Sequence, residues 1–289
     1  MKPEIRTLTS HDIPAADTIL CMAFGTPGSR AEELHRCLSL QPDGWLLALI
    51  DGEPVGMVGA IDYGPFAWVG LMAVHPKVQR QGIGYLLMSH ILVWLEGRGC
   101  PLVRLDATQA GSGLYRKLGF IEAGFTRMIL DLKLEPLPDN SIAAAAMLEA
   151  DLPEVAALDA AVFGAHREAL LQLYWRQFPG RSFTARTPRG ELAGYLIAQI
   201  TKIGPWISTS TMAAEALLSL ALPLPFDGPM KMIVPSENKA AVLLFNRLGA
   251  VEGQSHLHMV KGISARLIQP VNLPGQREFI YSQASFAVG

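Results

Sequence analysis

Three cysteines in 289 residues (Cys21, Cys37 and Cys100) are too few for a disulfide framework, and they share no ligand spacing with histidines. Reduced thiols and no metal site are therefore expected. Charge is also sparse: 17% of residues carry it, the net value is −2, and no run of Lys or Arg occurs. That removes the electrostatic case for a nucleic-acid partner. Long apolar runs are missing as well. The longest candidate, Ala213 to Leu224, is too short to span a bilayer and is ended by prolines. The opening MKPEIRTLTSHD has charges and a proline where an export signal needs an apolar core. These absences predict a soluble, cytoplasmic protein with no membrane partner, either monomer or homodimer. What the chain does have is core: half its residues are hydrophobic, and its length suits two domains of ordinary size.

The most informative stretch is Trp68 to His90, WVGLMAVHPKVQRQGIGYLLMSH. A β-like run to Val74 breaks at His75-Pro76, and a short glycine-spaced loop follows, Gln79-Arg80-Gln81-Gly82-Ile83-Gly84. Leu86, Leu87, Ile91, Leu92 and Leu95 then adopt helical spacing. A strand, a glycine-rich turn and a helix N-terminus make an anion trap. Backbone N–H groups without internal partners and the positive end of the helix dipole converge on one small volume. Gly82 and Gly84 allow close approach of a bulky phosphate, and Arg80 adds a charge at the mouth. Two glycines alone would also suit a plain tight β–α connection.

Taken in order, the chain predicts a strand at Ile5–Leu8, a helix through Ile13–Phe24, and a second helix from Ser29 to about Leu40. A hairpin follows, with strands Trp45–Ile50 and Val55–Ile61. After the Trp68 strand and its helix come a strand at Pro101–Asp106, a short helix ending at Gly119, and a hairpin over Phe120–Leu134. The stretch KLEPLPDNS then lacks periodicity, so residues 136–141 are expected to be a linker between domains 1–135 and 142–289. Beyond it the chain begins again. Asp12-Ile13-Pro14 and Phe24-Gly25 recur as Asp151-Leu152-Pro153 and Phe163-Gly164, both 139 positions on. Gly52-Glu53 recurs as Gly190-Glu191 (138) and Gly64-Pro65-Phe66 as Gly204-Pro205-Trp206 (140). Leu114-Tyr115-Arg116-Lys117-Leu118-Gly119 recurs as Leu244-Phe245-Asn246-Arg247-Leu248-Gly249 at only 130. One fold is duplicated, and the second copy loses about ten residues where the first carries the glycine loop.

The string V-x-P-x-x-Q-x-x-G-x-G, after a strand and opening a helix, resembles the acyl-CoA signature of the GNAT (GCN5-related) N-acetyltransferases. The Leu114–Phe120 string resembles a second family element. The resemblance is strong over 68–125 and weaker over 142–262. It implies an α/β (α+β) chain of two tandem GNAT-like domains, each a mixed, mostly antiparallel twisted sheet flanked by helices. The second would be a degenerate copy that lends structure or part of the acceptor pocket.

The same resemblance implies acetyl-CoA as co-substrate, transferring its acetyl group to a primary amine of a small molecule or peptide. Gln79, Arg80, Gln81, Gly82, Ile83 and Gly84 would hold the pyrophosphate, and backbone groups of Met72, Ala73 and Val74 the pantetheine arm. Tyr115 would be the general acid for the departing thiolate, or else a packing aromatic. Phe245 in the second copy cannot donate. The family often carries Asn seven residues before this tyrosine; here Thr108 stands there and could take over its contact with the cofactor, while the second copy keeps Asn238. Asp106 and Asp62 are candidate bases, each with an alternative role as a turn cap or solvated carboxylate. His75 suits a loop role. His256 and His258 share one face of a late strand but lack a third metal ligand. A rival reading is an acyl-CoA-binding regulatory module without turnover.

Overall fold

The computed structural model describes residues 3–25, 28–132, 141–263 and 273–289. The first half runs β1 (Glu4–Thr7), α1 (Ile13–Phe24), α2 (Ala31–Leu40), β2 (Trp45–Ile50), β3 (Glu53–Asp62), β4 (Ala67–Val74), α3 (Ile83–Gly97), β5 (Leu102–Ala107), α4 (Gln109–Lys117) and β6 (Ile121–Leu130). The second half repeats this order: β7 (Ala143–Ala146), α5 (Leu152–Phe163), α6 (Glu168–Gln177), β8 (Ser182–Arg186), β9 (Leu192–Ala198), β10 (Ile203–Ser208), α7 (Thr211–Ala221), β11 (Lys231–Pro235), α8 (Lys239–Arg247) and β12 (Val251–Gly262). Among the described residues a short strand, β13 (Ile280–Ser282), has no counterpart in the first half.

The repeated Asp-Xaa-Pro and Phe-Gly pairs are the start and stop signals of one helix. In α1 and α5 the proline sits in the first turn, where its missing N–H costs nothing. Gly25 and Gly164 end these helices in the left-handed conformation, at φ 60° and 91°. The Gly64-Pro65-Phe66 correspondence does not hold. Those residues form the turn before β4, whereas Gly204-Pro205-Trp206 lies inside β10.

Two compact units emerge, and no single cut near residues 136–141 separates them. One comprises Met1–Ala123, His258–Asn272 and Phe286–Gly289; the other comprises Gly124–Leu257 and Leu273–Ser285. Each half therefore gives the end of its last strand to the other unit. The expected linker falls at 136–141, of which 136–140 lie outside the described residues. The expected hairpin over Phe120–Leu134 is instead one strand, β6, because its antiparallel partner is the distant β11 (Thr126↔Pro235 to Leu130↔Lys231).

In the first unit the sheet order is β1-β2-β3-β4-β5, followed by the His258–Gly262 end of β12. The pairs β1–β2, β2–β3 and β3–β4 are antiparallel, and β4 runs parallel to β5. Trp45 and Trp68 are fully buried in it, and α3 covers one face. The second unit holds the sheet β13-β10-β9-β8-β7, and a strip in which the rest of β12 lies beside β6 and β11. Its core gathers Trp206, Phe245, Met232 and the buried face of α7. The apolar stretch from Ala213 is thus a core helix, and among the described residues no helix is long and apolar enough to cross a membrane.

Candidate active site

The site is built where β4 leaves its neighbours. Between the pairs Gly59↔Gly70 and Met57↔Ala73, β4 advances three residues while β3 advances two. This bulge puts Leu71 at φ 49°, a conformation that non-glycine residues seldom adopt. On its other side β4 pairs with β5 only at Ala67↔Val103 and Trp68↔Arg104. From Val69 onward the two parallel strands are not paired in register. The His75 N–H bonds the Val55 carbonyl at 2.8 Å. Residues of a strand alternate edges, so Val74 and Met72 turn their backbone groups toward the opening. The Gln79 side chain enters from the loop and donates to the Val74 carbonyl at 2.9 Å.

The loop delivers the chain to α3 through two left-handed residues, Arg80 (φ 64°) and Gly82 (φ 85°). Gly82 is the N-cap, and no side chain caps the helix. Its first-turn N–H groups are therefore left for an external acceptor, with the helix dipole behind them. The two glycines serve different ends. A Cβ on Gly82 would meet nothing within 4 Å, so its need for glycine is conformational. A Cβ on Gly84 would stand 2.6 Å from Met72 Cε and 3.4 Å from Leu114, so Gly84 lets α3 start hard against β4 and α4. The loop, the open stretch of β4 and α4 thus meet at Gly84.

Thr108 caps α4, its Oγ1 accepting from the Gly111 N–H at 3.1 Å. Asn238 does the same for α8, accepting from Ala241 at 2.8 Å. Threonine has therefore replaced asparagine as a cap. Tyr115, on α4, is 8% exposed and sits edge-on to Phe120 at 5.8 Å. Burial pushes its phenol up to about 12, so it holds its proton throughout the neutral range.

The two candidate bases part company. Asp62 lies at the other end of β4, in the turn from β3, where it accepts from the Gly64 N–H at 2.9 Å and pairs with Arg98 at 3.0 Å. A carboxylate so engaged is a turn cap and ion-pair partner. Asp106 stands on the part of β5 beyond its pairing with β4. Its Oδ1 lies 3.0 Å from His258 Nδ1, and both side chains are fully buried. The register explains the meeting: the Ile263 N–H bonds the Pro101 carbonyl at 3.1 Å, and five residues back along β12 and five forward along β5 lie His258 and Asp106. His258 also lies against Trp68, ring centroids 5.5 Å apart. Sequence reading saw the histidine alternation but not its partner, 152 residues away. Lys77 N–H bonds His75 Nδ1, the expected loop role. Among the described residues no group of three or more His, Cys, Asp or Glu could hold a metal.

The equivalent place in the second unit is closed. The β4–α3 link of eight residues, 75–82, corresponds to two, Thr209 and Ser210. Ser210 caps α7 itself, accepting from the Ala213 N–H at 3.2 Å. Between β10 and β11 lies β13: it pairs with β10 (Trp206↔Ser282), Ser282 Oγ accepts from the Ile233 N–H, and the Gln283 N–H bonds the Ile233 carbonyl. Asn238 donates to the Ile280 carbonyl of this strand at 3.0 Å. Phe245, in the place of Tyr115, is fully buried against Trp206.

Comparison with known proteins agrees with this reading of the fold. The Acetyltransferase (GNAT) family model matches residues 13–120, and a second Acetyltransferase (GNAT) domain model matches residues 155–270. The uncharacterized N-acetyltransferase YitH of Bacillus subtilis is 30% identical over 228 residues, covering 76% of this chain and 78% of that protein. A crystal structure from Pyrococcus horikoshii is 28% identical with a TM-score of 0.84, covering 99% of this chain and 96% of that one. A tandem GNAT protein from the clavulanic acid biosynthesis pathway shares the fold, at 15% identity and a TM-score of 0.64 over 92% of this chain and all of that one. The chain belongs to the GNAT acetyltransferase family, with two GNAT domains in tandem.

Proposed function

We propose that the protein is an acetyl-CoA-dependent N-acetyltransferase. It would transfer the acetyl group to a primary amine, of a small molecule or an exposed amino group, by direct attack within a ternary complex. The observation that carries this is the uncapped N-terminus of α3 beside the unpaired edge of β4. An anionic pyrophosphate matches the first, and an extended chain of amides the second. Acetyl-CoA supplies the activated acyl group. Gln79 to Gly84 hold its phosphates, and backbone groups of Met72 and Val74 fix its arm and polarise the thioester carbonyl, while Ala73 pairs with Met57 of β3. Tyr115, protonated throughout the neutral range, gives its proton to the departing sulfur. The sulfur then leaves as a neutral thiol.

The second unit is read as non-catalytic. Its helix N-terminus is capped by its own serine, its strand gap is filled by β13, and its tyrosine is Phe245. One coenzyme A per chain is therefore expected, bound by the first unit, with the second lending structure or part of the acceptor site. The test is calorimetry with coenzyme A, together with thiol release from acetyl-CoA against amino acids, polyamines, aminoglycosides and lysine peptides. Tight binding without release for any amine would favour the regulatory-module reading. Two equivalent sites would overturn the assignment of the second unit.

A further inference from the structure

The bulge that opens the first unit is also present in the second, and the two copies differ in a side chain. In β10 the chain advances three residues, from Ile203 to Trp206, while β9 advances two, from Ala198 to Leu196. This is the step that β4 makes from Gly70 to Ala73 against Gly59 and Met57. Leu71 and Met72 therefore correspond to Gly204 and Pro205. Both bulges take a positive φ at their first residue, 49° at Leu71 and 141° at Gly204. The second unit meets this requirement with glycine, which adopts such angles freely. The first keeps a leucine there, in a conformation that strains any residue with a Cβ. Strain of this kind, kept where glycine would relieve it, signals a use for the side chain.

The second unit shows what lies beside this position. A Cβ on Gly204 would stand 2.0 Å from the Gln283 carbonyl oxygen and 2.9 Å from its carbon. Gln283 continues β13, and its own N–H bonds the Ile233 carbonyl of β11 at 2.8 Å. The first residue of the bulge thus borders the gap between the parted strands, and glycine admits a second backbone there. In the first unit the corresponding gap lies between β4 and β5, which pair no further than Trp68↔Arg104. Leu71 borders it with a whole isobutyl group and is only 6% exposed. Its neighbour Gly70 offers no way around. A Cβ there would already meet Ala287 Cα at 2.4 Å and the Phe286 carbonyl at 2.9 Å.

We propose that Leu71 sets the length of the acyl group, admitting acetyl and excluding longer chains. The inference rests on the acyl-CoA reading of the gap. In that reading backbone groups of Met72 hold the thioester carbonyl, so the acyl chain begins one residue from Leu71. An acetyl group ends beside the leucine, whereas each further methylene must enter the volume that its side chain fills. A close-packed interior does not hold both without displacement. The leucine determines specificity and takes no part in bond making or proton transfer.

The experiment measures by calorimetry how tightly the full chain binds coenzyme A and acetyl-, butyryl- and hexanoyl-CoA, in wild type, Leu71→Gly and Leu71→Ala. It needs no acceptor amine, so its outcome is independent of turnover. Wild type is expected to bind hexanoyl-CoA at least about tenfold more weakly than acetyl-CoA, since the longer chain must displace packed side chains. Leu71→Gly should reverse that order, each methylene that enters the vacated space contributing roughly fourfold in affinity. Leu71→Ala should fall between the two, and it decides the question if the glycine variant does not fold. Wild type that binds hexanoyl-CoA as tightly as acetyl-CoA overturns the proposal without any variant. So does a folded glycine or alanine variant that keeps the wild-type discrimination. Absence of binding for all four ligands would instead overturn the acyl-CoA reading, and the proposal with it.

Discussion

The two units carry the same elements in the same order, yet one leaves open what the other fills. In the first, β4 and β5 part after two paired positions and α3 begins without a cap. In the second, β13 lies between β10 and β11, and Ser210 satisfies the start of α7. An extended strand and an extended cofactor arm make equal demands on a sheet: both need backbone partners on two edges. The second unit meets that demand with its own chain. Asn238 takes part in this closure, since its amide donates to the Ile280 carbonyl of β13. Shortening follows the same logic. From the start of β3 to the start of α3 is 30 residues, and from β9 to α7 is 19; six of the eleven lost belong to the glycine loop and five to the strands.

Four experiments would break or sharpen this contrast. The largest effect is expected from a cut after Leu134. The fragment 1–134 lacks the end of β12, so the β5 edge is exposed and Asp106 loses His258, while most of β6 loses its partner β11. It should fail to fold cooperatively, as followed by circular dichroism and thermal melting. A monomeric fragment with a sharp melt and full coenzyme A affinity would show that the exchanged strands are dispensable.

Tyr115→Phe comes next. It converts the first unit to the side chain the second already carries, and kcat should fall about 10²–10⁴-fold with coenzyme A affinity unchanged. Because the phenol is pushed up to about 12, its proton is present below that value and lost above it. Between pH 6 and 9 the wild-type rate should therefore show no alkaline decline caused by this group. Parallel losses in binding and rate would mean that the ring is packing alone.

Gly82→Asp places a carboxylate and a strained left-handed residue at the mouth of α3. Coenzyme A affinity should weaken on the order of 100-fold, about 3 kcal/mol. Unchanged calorimetric affinity in a folded variant would remove the loop from the binding site. Asn238→Ala tests the other unit, removing the α8 cap and the bond to Ile280. A stability loss of about 2 kcal/mol is expected, since a cap contributes about 1 kcal/mol and a buried carbonyl left without its donor adds a similar amount. Coenzyme A stoichiometry should stay at one. A second equivalent of cofactor bound by this variant would show that β13 is a displaceable plug.

The sequence by itself determined what is local. The helix starts at Pro14 and Pro153, the stops at Gly25 and Gly164, the glycine loop before α3 and the tandem family all follow from residues a few positions apart. Such features depend on dihedral preferences and on N–H groups that need partners nearby. The mispairing of Gly64-Pro65-Phe66 with Gly204-Pro205-Trp206 marks the limit of short motifs, because three residues do not state which strand they belong to. Only the tertiary structure decided what is distant: β6 beside β11, β13 between β10 and β11, and His258 opposite Asp106. Strand edges offer the same N–H and C=O groups whatever the side chains, so the choice of partner is made by the whole packed chain.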